Sequence, residues 1–241
     1  MSEPINSRTE LKKARQKVAL PLLGIAMVSI VMLFAGLTSA YIVTQADNFW
    51  VSFDLPVMFY YSTGIIVFSS LSVFWALRSA RANKFQSVKT GILITLLLGI
   101  GFSFSQYMGW AELIKEGNFV VGNIDALQGQ YGVDYVIKYN GSELNHKNGT
   151  YYMPDDTEMK ESIDPSMFQT FNSASSFLYV LSGLHVLHLL GGLVALMVVL
   201  ANAIGNKYSS ENYVGLKICS TYWHFLGGLW VYLFLFLYFI N

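Results

Sequence analysis

SASSFLYVLSGLHVLHLLGGLVALMVVLANAI, Ser173 to Ile204, contains no aspartate, glutamate, lysine or arginine. A helix rises about 1.5 Å per residue and the hydrocarbon core of a bilayer is about 30 Å thick, so about 20 apolar residues make a crossing. This run exceeds that length, which predicts a membrane-spanning helix able to tilt or to project beyond the bilayer. Two histidines, His185 and His188, lie near its middle without adding a fixed charge. Three residues apart, they share a helix face. They are therefore candidates for metal or haem ligands, for a proton relay, or for polar links between helices.

The rest of the composition agrees with lipid as the solvent. Of 241 residues, 54% are hydrophobic and 12% charged, where a soluble domain carries about 25% charged residues, and the mean hydropathy is +0.44. The formal net charge is zero, which argues against a nucleic-acid partner. Cys219 is the single cysteine, so this chain alone builds no internal disulfide, zinc ribbon or iron–sulfur site.

Four more stretches are long and apolar enough to cross: about Val18–Val43, Pro56–Leu77, Gly91–Leu113 and Leu216–Ile240. Pro21 is placed in the opening turn of the first, and Pro56 in the first turn of the second with Asp54 as its N-cap. The basic stretch SRTELKKARQK precedes an apolar run too long for a signal peptide, so the first helix is expected to stay in the membrane as an anchor. With five spans, eleven cations fall on one side: Arg8, Lys12, Lys13, Arg15, Lys17, Arg78, Arg81, Lys84, Lys89, Lys207 and Lys217. Lys115, Lys138, Lys147 and Lys160 remain for the other. The positive-inside rule then predicts a cytoplasmic N-terminus and an extracytoplasmic C-terminus.

Between about Lys115 and Met167 the chain turns polar. VDYVIKYNGSEL alternates about an Asn-Gly turn and predicts a small β-hairpin. The acidic excess of this insertion (Asp125, Asp134, Glu143, Asp155, Asp156, Glu158, Glu161 and Asp164) reads as a solvated face, or as a surface for a cationic partner such as a cytochrome domain. Asn140-Gly-Ser142 and Asn148-Gly-Thr150 match the glycosylation sequon. Small residues mark close helix contacts, because lipid is as apolar as leucine: Ser29, Gly36 and Ala40 on the first helix, Gly183, Gly191 and Gly192 on the fourth, Gly227 and Gly228 on the fifth.

Ionisable groups inside spans are costly and are functional candidates. Here they are His185, His188, His224 and, near the end of the third helix, Glu112; His146 lies in the insertion. A bis-histidine haem needs imidazoles from opposite sides of the iron, which one face of one helix does not supply. A di-iron site needs more histidines and carboxylates than this chain has. A three-histidine metal site from His185, His188 and His224 stays open, as does the plainer reading that each imidazole bonds a neighbouring helix.

These residues resemble a known family. SGLHVLHLLGG is similar to the Thr-Gly-Phe-His-Gly-Leu-His stretch of subunit III of the haem–copper cytochrome c oxidases. YWHFLGGLWVYLFLFLYF from Tyr222 resembles that family's Tyr-Trp-His-Phe segment near the C-terminus. FAGLTSAY (Phe34–Tyr41) and LLLGIGFSFSQYMGW (Leu96–Trp110) resemble two further segments, the latter at Gln106 and Trp110. Order and spacing agree with the short five-helix bacterial form, and the insertion is extra. Four family carboxylate positions have gone, to Ile30, Gly109, Gly227 and Lys217. Glu112, three residues after Gly109, is a candidate replacement one turn along.

The expectation is an all-α integral membrane protein, one domain over residues 1–241, with five transmembrane helices and an extracytoplasmic insertion (115–167) between the third and fourth. The resemblance implies an accessory subunit without a catalytic site or a redox cofactor of its own, in the bacterial cytoplasmic membrane. It further implies a partner subunit I, with subunit II, holding haem and copper, and bound phospholipid between the helices. A cytochrome c domain or a larger supercomplex is a further expected partner. His185, His188, His224, Gln106 and Trp223 are expected to hold the bundle together. The rival readings are the accessory subunit of a quinol oxidase or nitric oxide reductase, and a membrane metalloenzyme using the three histidines.

Overall fold

The structure, a computed structural model, describes residues 3–47, 49–147, 149–169, 172–206, 208 and 213–240. Five helices among them are long and apolar enough to cross a membrane: α1 (Glu3–Asp47), α2 (Val57–Arg81), α3 (Phe85–Lys115), α4 (Ser173–Ile204) and α5 (Val214–Ile240). The chain is a multi-pass membrane protein. α4 has the bounds expected for it, because its apolar run is continuous from end to end.

Three local expectations are corrected. First, α1 starts at Glu3 rather than near Val18, so the basic stretch continues the helix instead of preceding it. Its Lys, Arg, Glu, Leu and Ala are strong helix formers and need no apolar periodicity. Pro21 consequently lies inside α1, not in its opening turn. The carbonyl it leaves without an i−4 donor belongs to Lys17, just before the apolar segment Val18–Ala46. Second, Asp54 does not cap α2: the helix opens at Val57, and Phe59 N–H donates to the Pro56 carbonyl (2.9 Å). Third, Lys217 lies in the first turn of α5 rather than in the connection, its N–H bonded to the Tyr213 carbonyl; Lys207 and the sequon residue Asn148 fall outside the described residues.

The predicted hairpin is present as β2 (Tyr135–Tyr139) and β3 (Ser142–Glu143). Its turn residues Asn140 and Gly141 have φ of +50° and +79°, the left-handed pair that a two-residue type I′ turn demands. The polar segments carry more β-structure than this. β1 (Phe49–Phe53), between α1 and α2, pairs antiparallel with β2 from Phe49↔Tyr139 to Phe53↔Tyr135. β4 (Asn145–Lys147) and β5 (Thr150–Tyr152) form a second ladder.

By internal contacts the chain divides into two compact units. The first comprises residues 1–34, 64–102 and 187–230. Its core includes Ile66, Val73, Ile92, Leu189, Leu196, Trp223 and Trp230. Here Gly91 lets α3 meet α2: a Cβ there would lie 2.8 Å from that of Ala76. The second comprises residues 35–63, 103–186 and 231–241, and contains the whole insertion. Tyr41, Trp50, Phe59, Leu113, Ile137, Leu178 and Leu181 are buried in it. The Tyr41 ring makes edge contacts with Trp50, Phe177 and Phe236.

Candidate functional site

The first unit is held around Trp223. Its indole is fully buried and donates from Nε1 to the Ser69 hydroxyl on α2 at 2.9 Å. Gly99 of α3 and Gly192 of α4 press on the same ring, where a Cβ would stand 2.7 Å and 3.3 Å from it. One large aromatic on α5 therefore bonds one helix and fits against two others through glycines. His224 is half-buried next to it in sequence. His188, also half-buried, lies 6.0 Å from the Phe34 ring centroid, and its backbone carbonyl accepts from the Tyr222 hydroxyl at 3.3 Å.

In the second unit the corresponding fixture is Gln106. Buried on α3, it donates from Nε2 to the Ser62 hydroxyl on α2 at 2.7 Å. That hydroxyl in turn donates to the Phe59 carbonyl at 2.8 Å. Trp110 Nε1 donates to Ser182 on α4 at 3.0 Å, and Ser182 donates to the Leu178 carbonyl. His185 is fully buried on α4, one turn from Ser182. Although His185 and His188 share a helix face, they fall in different units.

No three His, Cys, Asp or Glu side chains converge to hold a metal ion among the described residues.

Two of the four positions at which the resemblance would place a carboxylate are sterically tight. A Cβ at Gly109 would strike the Phe59 ring at 2.5 Å, and one at Gly227 would lie 3.0 Å from Ser70 Oγ. A larger residue at Gly109 would require the Phe59 ring to move, and one at Gly227 would press on the Ser70 hydroxyl. Glu112, in the last turns of α3, is half-buried.

The small-residue stripes divide. Gly192 and Gly227 do make close approaches, but a Cβ at Gly36, Gly183, Gly191 or Gly228 would meet nothing within 4 Å. Among the described residues those four make no such close approach. The contacts that the sequence reading missed are Gly91, Gly99 and Gly109 on α3. Gly91, the buried Thr95 and Gly99 recur every fourth residue, the small-xxx-small signal of close helices.

In the insertion, several acids are engaged in local turns. Asp134 accepts from the N–H of Gln130, Asp156 from those of Lys160 and Glu161, and Asp164 from that of Ser166. The Ser166 bonds hold the exposed Asp164 carboxyl below its usual range. Burial, then the carboxylates of Glu112, Asp134 and Asp54, pushes the Glu116 carboxyl up. It lines a cavity of about 450 Å³ with Asp54, Asp134 and Lys115. Tyr131 is buried enough to raise its phenol, and donates to the carbonyls of Leu144 (2.8 Å) and Ile137 (3.3 Å).

The profile of the family described as cytochrome c oxidase subunit III matches residues 159–241. That stretch contains α4 and α5, with His185, His188, Trp223 and His224. A cytochrome c oxidase subunit 3 of Spodoptera frugiperda is 23% identical over 186 residues, 77% of this chain and 89% of the relative. One from Artemia franciscana is 26% identical over 178 residues, 73% of this chain; the match spans 48% of that relative, about half its length. A probable cytochrome c oxidase subunit 3 of Nocardia farcinica is 24% identical over 220 residues, 87% of this chain and 82% of the relative.

Proposed function

We propose that the chain is a member of the cytochrome c oxidase subunit III family, to which it is similar, and that it serves as the accessory, non-catalytic third subunit of a bacterial haem–copper terminal oxidase. The supporting observation is where its intramembrane polar groups go. Trp223, Gln106 and Trp110 each end on a serine hydroxyl of another helix. These side chains are engaged in holding helices together, which is what a scaffold requires and what a self-contained catalytic site does not. His185, His188 and His224 belong to the same framework in this reading.

The haem and copper reside in partner subunits I and II, where oxygen is reduced. This chain packs against subunit I, keeps phospholipid at its helix faces, and supports stable turnover and proton uptake there. It lies in the bacterial cytoplasmic membrane, with its N-terminus cytoplasmic and its C-terminus and insertion outside. In this reading Glu112, one turn beyond Gly109, takes over the carboxylate role missing from that helix.

Affinity purification of the full chain from native membranes tests the reading. A haem spectrum is expected in the purified complex and none in the chain separated from it. Recovery of the chain without haem-bearing partners overturns the proposal, as does stoichiometric metal retained by the isolated chain and lost in His188→Ala. For Glu112, unchanged turnover-dependent inactivation in Glu112→Gln removes it from the proton pathway.

A further inference from the structure

Between the end of α3 and the insertion lies a short apolar segment, Phe119-Val120-Val121, that none of the five spans contains. Its three side chains are 40%, 50% and 73% exposed. The way the chain reaches it is unusual for a loop leaving a membrane. Asn118 N–H donates to the Leu113 carbonyl (2.9 Å) and Gly117 N–H to that of Ile114 (3.2 Å), with Gly117 at φ +83°. This paired closure with a left-handed glycine ends a helix and reverses the chain.

The reversal carries the segment back along the helix. Val120 lines a largely apolar groove of about 400 Å³ together with Tyr107, Trp110, Ala111 and Ile114 of α3 and Val180 of α4. Tyr107 lies two turns before the end of α3, about 12 Å along its axis. The charged Lys115 and Glu116 therefore mark where the chain leaves the apolar layer, and Val120 returns to it.

Three of the four carbonyls of Phe119–Gly122, and that of Asn118 before them, are bonded within the protein. The Asn118 carbonyl accepts from the Tyr179 hydroxyl (2.9 Å), that of Phe119 from Ser175 Oγ (2.8 Å), that of Val120 from Ser176 Oγ (2.8 Å) and that of Gly122 from Asn172 N–H (2.7 Å). A loop in water needs no such provision, since solvent serves its carbonyls. A loop in lipid does, because nothing else there will. Trp110, Tyr107 and Tyr179 around the groove are the aromatic residues that favour the headgroup level.

We propose that Phe119–Gly122 is a re-entrant interfacial loop, set into the acyl-chain boundary of the leaflet on the insertion's side, so that the insertion is pinned to the membrane surface. The bilayer is the occupant because, Val120 apart, the groove is lined by residues of two helices long and apolar enough to cross a membrane. The inference rests on the membrane-spanning helices alone and does not depend on the oxidase reading.

Spin labels test it in the full chain within its native complex, in nanodiscs of phosphatidylcholine and phosphatidylglycerol. Cys219 is buried, so single cysteines from Val121→Cys and, as the aqueous control, Val133→Cys are labelled with the unsubstituted chain as background. Val133 is 69% exposed in the insertion. The Val121 label is expected to show a ratio of oxygen to water-soluble nickel-chelate accessibility several-fold above that of Val133. Bimane at the same position is expected to be quenched by doxyl lipids. A ratio equal to that of Val133 places the loop in water and overturns the proposal. So does a Val121 label shielded from both reagents, which would show a protein partner covering the loop.

Discussion

In the membrane-spanning helices Leu22, Met32, Phe68, Leu97 and Leu187 are exposed, while Ser62, Ser69, Thr95, Gln106, Ser182 and His185 are buried. In the insertion the arrangement reverses: Ile137, Leu144, Ile163 and Phe168 are buried, and Glu143, Lys147, Asp155 and Lys160 are exposed. The same residue types are sorted in opposite directions because the surroundings differ. Against water, burying apolar area contributes about 25 cal/mol per Å², so the insertion assembles a small aromatic and aliphatic core. Against lipid that drive is absent, and the spans depend on close fit and on hydrogen bonds that have no solvent competitor.

This contrast is open to direct attack, most severely at Trp223. Trp223→Ala removes a buried ring that three helices share, and about 3–5 kcal/mol of stability should go with it, measured by unfolding in mixed micelles. A loss below about 1 kcal/mol would mean that fit is not what holds the first unit. Next comes overfilling: Gly99→Leu forces atoms into the Trp223 and Leu193 side chains and should cost about 1–3 kcal/mol in the same assay.

Gln106→Leu probes the polar link by itself. Hydrogen bonds between membrane helices are modest, and about 1 kcal/mol is expected, with little added by Ser62→Ala in the double variant. Additive losses would show that the two side chains act independently. On the water-facing side, Tyr131→Phe removes the bonds to Leu144 and Ile137. It should raise hydrogen exchange across β2–β5, for a local cost of about 1 kcal/mol, and leave the spans unchanged.

The smallest effect is pH-dependent. The Asp164 carboxyl is held below its usual range by Ser166, so its contribution is present above the ordinary aspartate pKa and is lost as pH falls through the lowered value. The protection of the Ser166 and Met167 amides, relative to their intrinsic exchange at each pH, should therefore fall in acid. Asp164→Asn should remove that pH dependence while leaving β1–β3 as they are.

Particular elements show how far sequence reading reached. α4 was legible to its ends because an uninterrupted apolar run is a direct statement about solvent. The β2–β3 turn was legible because Asn140-Gly141 admits few other conformations. β1 was not: five residues between two spans have no meaning as a strand until β2, far along the chain, comes to pair with them. The start of α1 was missed because its basic turns carry helix propensity without hydrophobic patterning. At the candidate site, Gln106 and Trp223 were singled out through a family resemblance, but their partners Ser62 and Ser69 were not. The chain has many serines, and only the crossing of helices selects which hydroxyl meets which donor.

By itself the sequence determined the solvent, the number of crossings and the order of the spans, because hydropathy and length are properties of local segments. Only tertiary structure decided which glycines are contacts and which face open space. It also decided that Phe59 occupies the place beside Gly109, and that His185 and His188 serve different units although they share a face. Those outcomes depend on the approach of helices distant in sequence, a pairwise geometry that no single segment encodes.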